Sequence, residues 1–140
     1  MRKKKVLFIC THNSCRSQMA EGLLQALYGD YYQAYSAGTR PSQVHPHAVK
    51  AMAEIGIDIS GNKSKSINEF LETEFDYVVT VCDQANETCP IFPGGGKHIH
   101  KSFPDPSRLE GSENEKINAF RQTRDEIKDW IKKTFSPSNP

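Results

Sequence analysis

Short, dense apolar runs alternate along this chain with stretches in which apolar residues recur every three or four positions. Val6-Leu-Phe-Ile9, preceded by Lys3, Lys4 and Lys5, predicts a strand buried on both faces. It runs directly into a polar turn. Beyond the turn, Met19, Ala20, Leu23, Leu24 and Leu27 share one face of a helix that ends near Gly29. Residues 31 to 37 predict a second strand, and Gly38 to Val44 a loop. Pro46 falls where a first-turn helix proline belongs, and Ala48, Val49, Met52 and Ile55 give that helix its apolar face. Ser66 and Glu69 have capping-box spacing and open a short helix to about Leu71. Asp76 to Val81 predicts a third buried strand, ending at Cys82, and residues 97 to 101 a weaker fourth. A second capping box, Ser112 with Glu115, opens a last helix carrying Ile117, Phe120, Ile127 and Ile131 on one face.

Strands alternating with helices predict the α/β class: a three-layer sandwich around a four-stranded parallel sheet of order 2-1-3-4. Ligands of such sheets bind at the carboxyl ends of the strands. That edge gathers Cys10, Cys82 and the loop after Lys101, and the two cysteines close strands expected to be neighbours.

Composition narrows the setting. The 140 residues fit one domain, with 136–140 as a flexible Pro/Ser tail. A net charge of +1 implies no strong field for nucleic acid or a membrane surface. No apolar run suggests a membrane span or a leader, so a cytoplasmic protein is expected, and nothing points to an obligate dimer. In a reducing compartment four cysteines are expected to be catalytic or redox groups rather than structural staples.

The strand–turn–helix at residues 6 to 17 gives these cysteines a chemistry. The N–H groups of Thr11, His12, Asn13, Ser14, Cys15 and Arg16 can curl around a point just beyond Cys10, where the following helix aims the positive end of its dipole. A tetrahedral oxyanion suits that place, and Arg16 can fork two of its oxygens. A thiol so placed is expected to have a lowered pKa, making Cys10 a nucleophile. Ser17 can donate a hydrogen bond to its sulfur. The bland alternative is an inert core cysteine. Asn13 suits the left-handed geometry of such a loop. Asp105, in Phe103-Pro104-Asp105-Pro106, is either a plain Asp-Pro turn or an acid able to protonate a departing oxygen.

Cys10-Thr-His-Asn-Ser-Cys-Arg-Ser17 resembles the phosphate-binding loop of low-molecular-weight protein tyrosine phosphatases. The longer run from Cys10 to Gly22 resembles more the thioredoxin-coupled arsenate reductases built on that fold, as do Cys82, Cys89, Asp105 and the Arg121–Ile127 stretch. Both groups place a general acid in an Asp-Pro of this loop. The phosphatases follow it with tyrosines, whereas Ser107 and Arg108 follow here, favouring the reductases. The resemblance implies that Cys10 attacks arsenate, Cys82 then attacks Cys10 as arsenite leaves, and Cys89 attacks Cys82. The resulting Cys82–Cys89 disulfide is reduced by thioredoxin, with no tightly bound cofactor. Phosphate or sulfate would mimic arsenate, and weak phosphatase activity would accompany the main one. The rival readings are a phosphatase and a thiol redox sensor.

If residues 83 to 89 are helical, the Cα atoms of Cys82 and Cys89 stand about 10.5 Å apart, and a disulfide tolerates about 7 Å. A helix-to-loop switch is therefore expected, with Gly94 to Gly96 as slack. Zinc on Cys82, Cys89, His98 and His100 is the competing reading, but no usual zinc spacing is present. Cys15 is expected to pack or hydrogen-bond, and His12 to face solvent. In some of the resembling reductases, residues matching Asn13, Glu21 and Ser36 help hold a potassium ion below the loop. Here Lys63-Ser64-Lys65 replaces the remaining ligands, so no metal is expected, and one of those lysines could put its ammonium in the cation's place.

Overall fold

The computed structural model describes residues 2–82 and 92–137. Strand β1 (Lys4–Cys10) is followed by helix α1 (Arg16–Tyr28), β2 (Tyr32–Gly38) and α2 (Pro46–Ala53). A 3₁₀ turn (Ile67–Phe70) then leads to β3 (Tyr77–Thr80) and β4 (Lys97–His100). A second 3₁₀ turn (Pro106–Arg108) precedes the long α3 (Glu113–Phe135). The sheet is parallel throughout, in the order β2-β1-β3-β4, as the alternation of elements predicts. Among the described residues, no helix is long and apolar enough to cross a membrane.

The apolar pattern explains the central place of β1. Val6, Leu7, Phe8 and Ile9 have no exposed surface, so this strand needs cover on both faces and neighbours on both edges. Val6, Phe8 and Cys10 face the larger core beneath α1, α2 and α3, while Leu7 and Ile9 join Phe75, Val78 and Phe92 on the other side. Phe135, at the end of α3, meets the rings of Phe8, Tyr32, Tyr77 and Trp130 edge-on at 5.4 to 6.3 Å. Each such pair contributes about 0.5–1.5 kcal/mol beyond its buried area. The far end of α3 is thereby fixed against the sheet.

Both capping boxes form, but the one at Ser66 starts a single 3₁₀ turn rather than an α-helix. The second strand runs one residue past its expected end because Gly38 pairs with Cys10 and also bridges Ser66. Gly94 to Gly96 are not slack. Gly96 N–H donates to Phe75 O at 2.9 Å, His98 Nε2 bonds Gly94 O at 2.7 Å, and Phe92 is buried against Phe75. The expected helix–loop switch at 83–89 and the last residues of the tail, 138–140, lie outside the described residues.

Helices α2 and α3 are joined by charge. Arg121 forks both oxygens of Glu54 at 2.6 to 3.1 Å, and Arg124 reaches Glu54 Oε1 at 3.1 Å and Ala51 O at 2.8 Å. The Arg121 hydrogen bonds hold the Glu54 carboxyl at about 2, well below its usual 4.5. A folded-state value below the unfolded one means a contribution to stability that is complete above about pH 5 and lost as pH falls toward 2. We expect Glu54→Gln to lower the urea midpoint at pH 7 and to converge with the parent chain near pH 2, measured by urea titration across that range.

Candidate active site

Beyond Cys10 the chain must turn sharply to enter α1, and the turn is held from outside. Arg40 N–H donates to Thr11 O at 2.9 Å, Ser42 N–H to His12 O at 3.3 Å, and His45 N–H to Ser14 O at 3.0 Å. Asn13 O accepts from Ser64 Oγ at 2.7 Å and Gln18 Nε2 at 3.3 Å. Four successive carbonyls are thus drawn outward. In a trans peptide the N–H points opposite to the C=O within the same plane, and no cis bond is present among the described residues. The N–H groups of residues 12 to 15 therefore point away from those partners. Asn13 has φ of 52°, the left-handed conformation expected of it. Gly38 supports the turn closely: a Cβ there would sit 2.5 Å from Thr11 O and 2.9 Å from Cys10 O and Asn13 N.

Cys10 is a buried free thiol, its sulfur 2.9 Å from Ser17 Oγ. Asn13 Nδ2 donates to that hydroxyl at 2.8 Å. With its oxygen accepting from Asn13, Ser17 has its single hydrogen left for the sulfur. Arg16 is almost wholly buried. Its guanidinium bonds Phe103 O at 3.2 Å and lies 3.7 Å from Asp105 Oδ2, so here it leans toward the loop carrying the candidate acid. Asp105 caps the 3₁₀ turn at 106–108: its Oδ1 accepts from Ser107 N at 3.0 Å and Ser107 Oγ at 2.7 Å. Oδ2 is the oxygen presented toward Arg16. Ser107, singled out in the sequence only for not being tyrosine, proves to hold the acid in place.

Cys15 is buried beside Ser14 Oγ at 3.3 Å, and burial pushes its thiol up to about 12, as befits a packing group. His12 is exposed, with Nδ1 bonded to Arg40 O at 3.1 Å. His98 and His100 alternate on the exposed edge strand, His100 Nδ1 bonded to Thr80 Oγ1 at 2.8 Å. Among the described residues, no group of three or more metal-ligating side chains assembles.

Cys82 is fully buried, two residues past β3. Val81 N–H still donates to Ile9 O at 2.9 Å, so Cys10 and Cys82 close adjacent strands at one sheet edge. Cys82 is in a disulfide, and Cys10 and Cys15 are both free, so neither is its partner. Cys89 lies outside the described residues.

Below the loop, Glu21 Oε1 accepts from Ser36 Oγ at 2.6 Å and lies 3.8 Å from Lys65 Nζ. The same ammonium donates to Lys63 O at 3.0 Å. Gln18 and Asn62 also belong to this layer. Both escape a reading by motif, because a buried amide looks like any other polar residue in sequence. The cue for Gln18 is its position: it follows Ser17 in the first turn of α1, where every residue from Arg16 to Ala20 is buried.

Residues 5–137 match the family described as low molecular weight phosphotyrosine protein phosphatase. The chain belongs to that family. It is 48% identical over 136 residues to a protein named arsenate reductase from Halalkalibacterium halodurans, covering 97% of each chain. It is 46% identical to one of the same name from Bacillus subtilis, covering 94% of this chain and 95% of that one. A solved arsenate reductase in the phosphate binding state superposes with a TM-score of 0.74 at 34% identity, over 92% of this chain and 94% of the other. A Corynebacterium glutamicum thioredoxin-dependent arsenate reductase gives 0.64 at 30% identity, covering 93% of this chain and 61% of that one. The family fold is thus present.

Because Gly38 touches the loop backbone itself, Gly38→Ala should displace the turn. Overpacking of this kind costs about 1–3 kcal/mol. We expect a lowered urea midpoint together with weakened inhibition by inorganic phosphate, read from equilibrium unfolding and competition assays.

Proposed function

We propose that this protein reduces arsenate to arsenite with electrons from thioredoxin. The observation that carries this reading is the pairing of two cysteines at one sheet edge. Cys10 opens a loop whose carbonyls are bonded to residues 40 to 45 and Ser64, with Ser17 Oγ 2.9 Å from its sulfur, and Cys82 closes the neighbouring strand in a disulfide that spares Cys10. An oxyanion seated on the loop would be attacked by the Cys10 thiolate. Asp105, with Oδ1 held by Ser107, would give a proton through Oδ2 to the departing oxygen, which leaves as water. Arg16 would turn from Phe103 O to fork the bound anion.

In the second step Cys82 attacks the sulfur of Cys10. The sulfur–arsenic bond breaks with its electron pair on arsenic, arsenite leaves, and a Cys10–Cys82 disulfide remains. Cys89 then attacks Cys82 and frees Cys10, giving the disulfide that thioredoxin opens. No tightly bound cofactor is needed, because the electrons come from thiols. The same nucleophile and acid suit a phosphate monoester, and the family match supports a weak phosphatase activity beside the main one.

Steady arsenite formation with thioredoxin, its reductase and NADPH tests the reading. Two thiols should disappear per chain on adding arsenate alone; none lost would leave a phosphatase. Cys89→Ser should permit one turnover and no more. Asp105→Asn should slow the first thiol loss by about 10²–10⁴-fold, the contribution of a placed general acid.

We further propose that Lys65 serves as a built-in cation beneath the loop, its ammonium near Glu21 and bonded to Lys63 O. Exchanging potassium for sodium at fixed ionic strength should leave turnover unchanged in the parent chain. Activation by potassium would overturn this assignment.

A further inference from the structure

Gln18 has no exposed surface and carries no reacting group, yet four hydrogen bonds converge on its amide. Its nitrogen lies 3.0 Å from Asn13 Oδ1, 2.9 Å from Lys63 O and 3.3 Å from Asn13 O. Its oxygen accepts from Asn62 Nδ2 at 3.1 Å. The orientation of both amides follows from the neighbours. Lys65 N–H, which can only donate, lies 2.8 Å from one terminal atom of Asn13, so that atom is the oxygen. The Gln18 atom that meets this oxygen and two backbone carbonyls must then be its NH₂.

We propose that Gln18 is a positioning residue for Cys10, acting through Asn13 and Ser17. With Gln18 and Lys65 N–H both donating into Asn13 Oδ1, the Asn13 amide cannot turn over. Its Nδ2 must face Ser17 Oγ, which leaves the Ser17 hydrogen available to the Cys10 thiolate. Were the Asn13 amide reversed, its oxygen would take the Ser17 hydrogen and the sulfur would lose its donor. A chain of three side chains therefore keeps a single hydroxyl hydrogen available to the sulfur. Asn62 holds the outer end, gripping Gln18 Oε1 at 3.1 Å and Glu21 Oε2 at 3.3 Å.

This inference rests on Cys10 being the nucleophile, and the two can fail separately. The shape of the loop has other supports: Arg40, Ser42 and His45 hold three carbonyls, and Ser64 holds Asn13 O. Loss of Gln18 should thus disturb the thiol more than the anion seat. In Gln18→Met, a side chain of similar length without donors, we expect iodoacetamide alkylation of Cys10 at pH 7, located by peptide mapping, to slow by about two- to tenfold, the worth of one hydrogen bond. The rate of the first thiol loss with arsenate should fall in step, while the inhibition constant for inorganic phosphate stays within about twofold of the parent value. Asn62→Ala, at the half-exposed outer end, should show the same pattern more weakly and serves if Gln18→Met does not fold. Unchanged alkylation in both variants would overturn the proposal. So would an equal loss of phosphate binding, which would make Gln18 a loop support only. An unreactive Cys10 in the parent chain would instead remove the nucleophile itself.

Discussion

The site depends on the outward pull on four consecutive carbonyls, Thr11 to Ser14. A peptide plane has two ends, and tying one decides where the other points. The proposed ring of N–H donors above Cys10 would be the far side of bonds made to residues 40 to 45 and to Ser64. Each such bond is worth only about 0.5–1.5 kcal/mol net, but together they leave the turn one conformation, with Asn13 left-handed within it. Donors fixed in advance need not reorganise when negative charge arrives or shifts.

The same constraint organises what surrounds the loop. Gly38 lies so close below it that no side chain fits there, which ties the end of β2 to the turn after β1. Gln18, Asn13 and Ser17 form a buried polar line beneath the proposed nucleophile, every member hydrogen-bonded. A half-satisfied line would cost more than an apolar core. Lys65 takes part twice, through its backbone N–H to Asn13 and its ammonium beside Glu21. The layer is thus electrostatic as well as structural. On the other side, Arg16 spans from the loop to the segment carrying Asp105, so the anion seat and the candidate acid share one side chain.

Membership of the phosphatase family and similarity to proteins named arsenate reductase fit a molecule in which one anion seat serves two chemistries. Attack by a thiolate under a tetrahedral oxyanion is common to both. In the proposed reductase, Cys82 at the same edge would add a place for electrons to go. The proposed seat need not differ between them.

Element order, the buried character of β1 and both capping boxes could be read from residue order alone, because they depend on neighbours three or four positions away or on unbroken apolar runs. So could Cys10, Arg16 and Ser17, which sit within one turn of chain. The helix dipole and the strand end that place them are local features too. Folding in three dimensions decided the rest. Ser66 begins a 3₁₀ turn and is bridged by Gly38; Gly94 to Gly96 are pinned by Phe75 and His98, far from any pattern that marks glycines as slack. Gln18, Asn62 and the segment 40–45 matter through partners far along the chain, as Lys65 does to Asn13 across 52 residues. A hydrogen bond's direction is set by the atom across the gap, and sequence does not record which atom that will be.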